Sequence, residues 1–296
     1  MLQVIVSSLL LGSIYLLFAI GLSLSWGVLN ILNLAHGSMF MFGAWCTYVI
    51  GQHVDLNLPL LIVIGALIGG ILSSLVYLVA YRPLLARAGG GHSAELGIMI
   101  ASIGIGLIPV AIATNRSPAE VVSYKSDVTT TGLHSIHGVT FTTLQIWIFV
   151  IAVIVTALIA IVIAKTRSGR ALRAVAADPG TANLLGVPVA RLSLQTMFVS
   201  GLLAGLAGVL LAANANAIEP RMGDSLLLKA FAIVILGGVG SVPGALIGAF
   251  VLAFGETIAV KELGGNARDF IAFGLIILVL LIRPRGIFAT AVGDRA

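Results

Sequence analysis

The sequence predicts an all-α polytopic membrane protein with a single domain over residues 1–296. Hydrophobic residues make up 59% of the chain and charged residues only 9%, whereas an ordinary soluble domain has about 25% charged residues. The apolar residues form long segments of the length that a helix needs to cross a bilayer. The net charge is +5, but the cations lie at the ends of these segments, which indicates membrane topology rather than nucleic-acid binding.

Nine apolar segments are candidate membrane helices. They are residues 2–25, 38–51, 58–80, 96–114, 143–164, 193–213, 226–236, 244–260 and 270–282. A helix rises 1.5 Å per residue through roughly 30 Å of hydrocarbon, so segment 226–236 cannot cross alone and segment 38–51 scarcely can. We therefore expect eight or nine transmembrane or re-entrant helices, with broken helices at the short segments.

The positions of Lys and Arg predict the orientation, because cytoplasmic loops carry an excess of both. Ten of the 16 cations fall on one side of the membrane: Arg82, Arg87, Lys165, Arg167, Arg170, Arg173, Arg191, Arg283, Arg285 and Arg295. The opposite side then holds the acidic residues Asp55, Glu120, Asp127, Glu219, Asp224, Glu256, Glu262 and Asp269. This arrangement predicts a cytoplasmic C-terminus and leaves the side of the N-terminus open.

The basic loop over residues 165–192 contains a short predicted helix, and we call this loop the elbow. Asp178 can cap the helix and Gly186 can end it. Ala182 and Leu185 are three residues apart, so we expect them to share one apolar face. Such a face needs a partner. The elbow is therefore either a docking element for another protein or an amphipathic segment that its arginines hold on lipid headgroups.

A second polar cluster, Asn30, Asn33 and His36, interrupts the apolar sequence. Amides and imidazoles are costly in lipid unless they meet partners or a water-filled path. Gly37 can break the helix and Ser38 can cap the next one, which would aim a helix N-terminus at the break. Two interpretations remain open: the polar groups line a solute path, or they only satisfy backbone groups at a kink.

A third cluster is rich in glycine and includes Gly238, Gly240 and Ser241. We expect these residues to form an abrupt turn within the membrane. Gly244 and Gly248 follow and lie four residues apart, a spacing that permits close helix contact. The clusters around Ser38 and Ser241 both precede short apolar helices, which suggests two related halves.

The sequence shows no site that could couple transport to an ion gradient or to ATP hydrolysis. Lys229 and Glu256 are the charged residues nearest to the spans, and we expect both to snorkel to an interface rather than to take part in transport. No lysine follows a glycine, so the phosphate-binding motif G-x-x-x-x-G-K-[ST] is absent. His36 has no second ligand at a metal-binding spacing, and no nucleophile with a nearby base is visible, so we expect no metal and no catalytic residue. A driven transporter of this kind needs a separate ATPase.

Three stretches resemble a known family. Residues 21–24 (GLSL) and 26–37 (WGVLNILNLAHG) are similar to its early signature, and residues 228–231 with 237–245 (LKAF, GGVGSVPGA) are similar to its late one. The elbow residues 169–186 resemble its cytoplasmic coupling loop. The family comprises the permease subunits of branched-chain amino acid ABC importers, which are multi-pass proteins of the bacterial inner membrane.

The resemblance implies a pore formed with a second permease, identical or homologous, together with two cytoplasmic ATPases and a periplasmic solute-binding protein. ATP and Mg²⁺ would be held by the ATPases, and this chain would bind no cofactor. The residues expected at the ATPase interface are Arg170, Arg173, Asp178, Ala182, Leu185 and Gly186. The residues expected near the translocation path are Asn30, Asn33, His36, Gly37, Ser38, Gly238, Gly240 and Ser241.

Several alternatives stay open. The chain departs from many relatives at Ser38, where they have an acidic residue, and at Trp45, where they have a tyrosine. The solute is therefore a branched-chain or related amino acid, or alternatively urea, a short amide or another small polar molecule. A gradient-driven secondary carrier is a second class of function, and a membrane enzyme ranks last.

Overall fold

The structure, a computed structural model, describes most of the chain. It covers residues 1–30, 32–88, 92–117, 119–125, 132–136 and 139–265, together with six positions between 270 and 281. The predicted span 270–282 therefore lies largely outside the described residues. The charged residues Asp127, Asp269, Arg283, Arg285 and Arg295 lie outside them as well.

Helices account for most of the described chain. They are α1 Leu2–Leu29, α2 His36–His53, α3 Leu58–Val76, α4 Arg82–Ala88, α5 His92–Arg116, α6 Thr143–Lys165, α7 Arg167–Ala177, α8 Pro179–Leu184, α9 Val189–Ala215, α10 Met222–Gly237 and α11 Val242–Leu263. A π-helical turn, Tyr77–Tyr81, joins α3 to α4. The elbow comprises α7, α8 and the residues around them.

Six helices in the described ranges are long and apolar enough to cross a membrane: Leu2–Leu29, Leu58–Arg87, Glu95–Arg116, Thr143–Lys165, Val189–Ala215 and Val242–Leu263. The chain is a helical polytopic membrane protein. The two helices predicted to be short, α2 and α10, are not among the six. They contain 18 and 16 residues, which correspond to about 27 and 24 Å of helix.

A small β-hairpin is the exception to the predicted all-α fold. Strands β1 Leu133–Ile136 and β2 Val139–Thr142 pair antiparallel, with Leu133 opposite Thr142. Strand β2 has the sequence VTFT, and β-branched and aromatic residues of this kind favour strands. The hairpin immediately precedes α6, whose first turn is closed by a capping box between Thr142 and Gln145.

The most extensive helix–helix contact joins α3 and α9 and is built on glycines. A β-carbon at Gly205 would lie 2.2 Å from the carbonyl oxygen of Gly65, and one at Gly201 would lie 2.3 Å from that of Gly69. Each helix thus places two glycines four residues apart against the other helix. Small residues at this spacing let helix backbones approach closely in lipid.

The two ends of α1 lie on opposite sides of the molecule. Near its start, the Gln3 side chain donates a hydrogen bond to the Thr140 carbonyl in β2 and accepts one from the Thr140 amide. Near its end, Val28 packs against the buried Ala182 in the elbow. The hairpin and the elbow are therefore separated by the length of α1, and the N-terminus lies on the side of the hairpin.

Candidate translocation and coupling sites

The first break, between α1 and α2, folds the chain back along α1. Helix α1 ends at Leu29 and is followed by the exposed Asn30, which adopts a left-handed conformation with φ 51°. His36, the first residue of α2, lies beside Phe18, because its Nε2 is 3.1 Å from the Phe18 carbonyl oxygen. Phe18 is about three turns before the end of α1. Helix α2 therefore begins inside the bundle rather than at its edge.

Asn33 within this connection and side chains from two other elements satisfy its polar groups. The Oδ1 atom of the fully buried Asn33 accepts hydrogen bonds from the Tyr81 hydroxyl at 2.7 Å and from the Ala35 amide at 3.1 Å. The Leu34 amide donates to Ser102 Oγ at 3.2 Å. Tyr81 belongs to the π-helical turn, a type of irregularity that is frequent at functional sites. Non-helical backbone is tolerated at membrane depth when protein groups bind it in this way.

His36 is also fully buried and bonded within the protein. Its Nδ1 atom lies 3.4 Å from Ser200 Oγ, and the Ser200 hydroxyl donates to the Gly21 carbonyl at 2.7 Å. In this conformation the Asn33 and His36 side chains satisfy neighbouring polar groups, as the kink interpretation requires. A role of either residue in the solute path stays a prediction.

Two details predicted for this break are wrong. Gly37 does not break the helix; it lies in the first turn of α2, where a β-carbon would come within 2.6 Å of the Gly223 carbonyl oxygen. Ser38 does not cap α2, because its hydroxyl donates to the Ala35 carbonyl at 2.8 Å. Asn33 holds the start of the helix instead, and the absence of a side chain at Gly37 lets α10 approach.

Ser38 also lines a groove of about 340 Å³ between α2, α3 and α5. The other residues that line it are almost all apolar, among them Met39, Phe42 and Leu72. The groove therefore offers one hydroxyl and a set of hydrocarbon surfaces, which suit an apolar group better than an ion.

The second break, between α10 and α11, is an abrupt turn as predicted, and its position within the membrane stays a prediction. Gly238 and Gly240 have φ angles of 90° and 80°, which favour glycine because it has no β-carbon. Ser241 caps α11 by accepting a hydrogen bond from the Gly244 amide at 3.1 Å. The Gly240 amide donates to Ser23 Oγ of α1 at 3.0 Å. We call residues 238–241 the glycine turn.

The predicted close contact through Gly244 and Gly248 is confirmed. A β-carbon at Gly244 would lie 1.9 Å from the Gly237 carbonyl oxygen, and one at Gly248 would lie 2.7 Å from that of Ile233. The glycine turn also touches α1, since a β-carbon at Gly27 would lie 2.4 Å from the Gly240 Cα atom.

The expectation that Lys229 and Glu256 reach an interface is wrong, and so is the placement of Glu256 among the outer acidic residues. Lys229 Nζ lies 3.0 Å from Glu256 Oε1, with side-chain exposures of 8% and 0%. The Tyr15 hydroxyl donates to Glu256 Oε2 at 2.7 Å, and Lys229 Nζ donates to the Tyr15 hydroxyl at 3.3 Å. Because Lys229 and Tyr15 lie near the middle of their helices, they pair with Glu256 inside the bundle. We call these three residues the buried triad.

The helix predicted in the elbow is confirmed with its caps. Asp178 Oδ1 accepts hydrogen bonds from the amides of Gly180 at 2.8 Å and Thr181 at 3.2 Å. The Thr181 hydroxyl also binds this carboxylate, and together these donors hold the pKa of Asp178 below its usual range. Gly186 follows the helix with φ 81°. The elbow therefore presents a defined structure to its surroundings.

Ala182 and Leu185 do not share a face, contrary to the prediction. Ala182 is 2% exposed and packs in a small core with Val28, Val175 and Leu192, whereas Leu185 is 79% exposed. Leu184, which also lies within the elbow, is 88% exposed. Ala182 thus anchors α8 to the bundle, and the neighbouring leucines form the outward apolar surface.

The two arginines expected at the elbow surface differ in their contacts. Both are exposed, but Arg173 donates a hydrogen bond to the Ile163 carbonyl near the end of α6. This hydrogen bond of Arg173 therefore also holds α7 against α6. For Arg170 the structure shows an exposed side chain. Val175, on the same helix, is buried in the protein, so α7 turns this apolar residue toward α1 rather than toward lipid.

Comparison with known proteins identifies the family. Residues 4–280 match the model of the branched-chain amino acid transport system permease component. The chain belongs to this family. It is 33% identical to the high-affinity branched-chain amino acid transport system permease protein BraD of Pseudomonas aeruginosa, over 97% of this chain and 95% of BraD. It is 31% identical to LivH of Escherichia coli, over 97% of this chain and 94% of LivH.

A solved structure supports the fold of this family member. The structure described as PsaBC from Streptococcus pneumoniae in complex with Fab aligns with a TM-score of 0.52, covering 94% of this chain and 91% of that one, at 11% identity. At this identity the likeness concerns the fold alone.

Sequence reasoning missed several residues of these sites. Tyr81, Ser102 and Ser200 support the first break, yet they lie 48 to 164 positions away from the residues they bind, and no local pattern connects them. A signal did exist for the buried triad, because one lysine and one glutamate in otherwise apolar helices are candidates for a pair. Among the described residues, no three His, Cys, Asp or Glu side chains could hold a metal ion.

Proposed function

We propose that this protein is the transmembrane permease subunit of an ATP-driven ABC importer for branched-chain or related amino acids. The observation that carries the proposal is its membership of the branched-chain amino acid permease family over nearly the whole chain. The chain forms the pore with a second, identical or homologous permease. Two cytoplasmic ATPases bind and hydrolyse ATP with Mg²⁺, and a periplasmic binding protein delivers the solute.

The elbow supports the part of this proposal that concerns the ATPases. Its short helix is capped at Asp178, anchored through Ala182, and carries two adjacent leucines, Leu184 and Leu185, exposed by 88% and 79%. Exposed leucines on an anchored helix suit a hydrophobic pocket on a partner protein. The elbow then faces the cytoplasm, where ATP is found.

This orientation fixes the rest of the topology. With the elbow in the cytoplasm of a bacterial cell, the hairpin and the N-terminus lie on the periplasmic side of the inner membrane. The six long helices, the short α2 and α10, and the segment around residues 270–282 then make nine, which agrees with the eight or nine transmembrane or re-entrant helices expected. The C-terminus is then cytoplasmic, and the first break and the glycine turn lie near the translocation path.

An alternative solute, such as urea or another small polar molecule, remains a second candidate because Ser38 stands where many relatives have an acidic residue. A gradient-driven carrier is the less favoured alternative. The buried triad is the observation that favours it, since charged residues inside a membrane often serve ion coupling. Lys229 and Glu256 are opposite charges in direct contact, however, and such a pair is largely self-compensating.

Reconstitution separates these candidates. The permease complex with its ATPases is placed in proteoliposomes, and uptake of radiolabelled leucine, isoleucine, valine and urea is measured with and without ATP and the binding protein. We expect leucine, isoleucine or valine uptake that requires both. Uptake of urea alone would support the alternative solute. Concentration of a solute by this chain without nucleotide would contradict the proposal.

A substitution at the elbow tests the ATPase contact. Leu185→Asp puts a charge on the proposed docking surface, and we expect it to abolish both uptake and co-purification of the ATPases while the protein stays in the membrane. Leu133→Asp is the matched control, because Leu133 is also 79% exposed but lies on the hairpin at the opposite end of α1. Normal co-purification of the Leu185→Asp variant would count against docking at the elbow.

A further inference from the structure

The buried triad joins three helices at a place where charge is unfavourable. Tyr15 lies near the middle of α1 and Lys229 near the middle of α10, while Glu256 is on α11. The Lys229 ammonium is also 5.5 Å from the centre of the Tyr15 ring, within the range of a cation–π contact. One cation, one carboxylate and one hydroxyl are thereby fixed relative to one another.

Stability alone does not account for this arrangement. Replacing a buried ion pair by well-packed apolar residues is often neutral or stabilising, because the cost of taking two charges out of water can exceed their attraction. Leucine or methionine at these positions would also be cheaper to insert into a membrane. A directional interaction supplies something that apolar packing does not, namely a defined position of one helix relative to another.

Helix α10 meets a neighbouring helix through glycines at both of its ends. Gly223 at its start lies against Gly37 of α2, and Gly237 at its end lies against Gly244 of α11. Contacts of this kind bring backbones together without interlocking side chains. They therefore define the distance between helices better than the rotation of α10 about its own axis.

The position of α10 in turn determines that of the glycine turn, which directly follows it. In the described conformation the Gly240 amide reaches Ser23 Oγ of α1 at 3.0 Å, and Gly240 sits against Gly27. A rotation of α10 by even part of a turn would move Gly240 out of this contact.

We propose that the buried triad is a positioning site, in which Lys229, held by Glu256 and Tyr15, sets the rotation of α10 and thereby the place of the glycine turn against α1. This inference rests on the proposed function, because the glycine turn is taken to lie near the translocation path. It assigns to Tyr15, Lys229 and Glu256 a role in coupling solute movement to ATP hydrolysis rather than in binding solute.

The principal test is the double substitution Lys229→Met with Glu256→Leu in the full permease–ATPase complex. Each single substitution leaves a charge without its partner, and we expect it to lower the amount of assembled complex by about tenfold or more. The double variant is expected to assemble nearly as well as the native complex. Its solute uptake per ATP hydrolysed is expected to fall by about fivefold or more. The matched control is Lys261→Met with Glu262→Leu, which removes an exposed ion pair from α11, the helix that carries Glu256.

If the ion pair only stabilises the fold, the double variant should give a different ratio of uptake to ATP hydrolysis from the one that the proposal predicts. If the double variant assembles and keeps the native ratio of uptake to ATP hydrolysis, the proposal is overturned. If the double variant does not assemble, Tyr15→Phe decides the question, because it removes only the hydroxyl that donates to Glu256. We expect that variant to assemble normally with a ratio lowered by about threefold, and an unchanged ratio would overturn the proposal.

Fluorescence of Trp26 reports the position of α10 independently of transport. Trp26 of α1 packs edge-to-face on Phe231 of α10, with ring centres 5.9 Å apart. In a background carrying Trp45→Phe and Trp147→Phe, we expect the double variant to shift the Trp26 emission and the control pair to leave it unchanged. If the Trp26 emission of the double variant is not shifted, the positioning role is refuted. A native complex that shows no ATP-driven uptake would instead refute the proposed function, so the two failures are distinguishable.

Discussion

Gly205→Ala is expected to destabilise the bundle, because it places a methyl group in the contact between α3 and α9. The new β-carbon would lie 2.2 Å from the Gly65 carbonyl oxygen and 3.2 Å from the Gly69 Cα atom. The first distance is about 1.2 Å short of the 3.4 Å at which ordinary contact begins. Since the obstacle is backbone, the helices must separate, and a gap of about 1 Å forfeits a quarter to a half of the dispersion energy of the atoms that face it.

The size of this effect can be bounded. Overpacking of a well-packed core costs about 1–3 kcal/mol. Each kcal/mol lowers the midpoint of thermal unfolding by about 2–4 °C for a chain of this size. We therefore expect the detergent-extracted protein to lose about 2–12 °C in apparent Tm, measured by the temperature dependence of its monodisperse fraction on size-exclusion chromatography.

The matched control for this prediction is Gly104→Ala in α5. A β-carbon at Gly104 meets nothing within 4 Å, and alanine is a better helix former than glycine by about 0.8–1.0 kcal/mol in peptides. We expect the Tm of this variant to be unchanged or raised. Equal melting temperatures for the Gly205 and Gly104 variants would refute the argument that backbone contact between α3 and α9 holds the bundle together.

Two further predictions concern the first break and the elbow. Tyr81→Phe removes the hydroxyl that donates to the buried Asn33, and we expect a loss of about 1 kcal/mol, seen as a lower Tm than that of Tyr48→Phe, whose ring is only half-buried. Asp178 has its pKa lowered in the folded state, so its stabilisation of α8 is present above the unfolded pKa and is lost as the pH falls through the lowered folded pKa. Hydrogen exchange at the Gly180 and Thr181 amides should therefore stay slow down to pH values below the usual range of aspartate, and Asp178→Asn should remove this pH dependence. A Tm of the Tyr81→Phe variant equal to that of Tyr48→Phe would contradict the first prediction. Amide exchange that accelerates within the ordinary pH range of aspartate titration would contradict the prediction for Asp178.

The elbow illustrates how far local sequence signals reach. Asp178 and Gly186 were predicted as caps from their immediate neighbours, and both act within three residues along the chain. The direction of the Leu185 side chain was not predictable from its immediate neighbours. Leu185 follows the last helical residue as the C-cap, with φ −82° and ψ 9°, so the helical spacing from Ala182 no longer describes the direction of its side chain.

Helix boundaries explain the error at Lys229. The apolar run begins at Leu226, which places Lys229 near the end of the predicted segment, but α10 begins at Met222. The sequence offers no apolar reason to start there, since Gly223 and Asp224 follow. Contact with Gly37 of α2 explains it, because Gly223 is where the two helices touch. A contact between residues 186 positions apart leaves no trace in a local pattern of hydrophobicity.

Helix α1 contacts the elbow, the glycine turn and the buried triad. Its last turn packs against the elbow through Val28 and against the glycine turn through Gly27, and Tyr15 near its middle joins the triad. A force applied to the exposed leucines of the elbow passes through the buried Ala182 to Val28, one residue from the contact with Gly240. Because packed interiors deform little, a displacement of the elbow has to move this end of α1 or open the small core around Ala182. We propose that the triad, together with the contact of Trp26 with Phe231, makes α10 follow α1. The solute path then responds less to the elbow when Tyr15 and Lys229 no longer hold the two helices together.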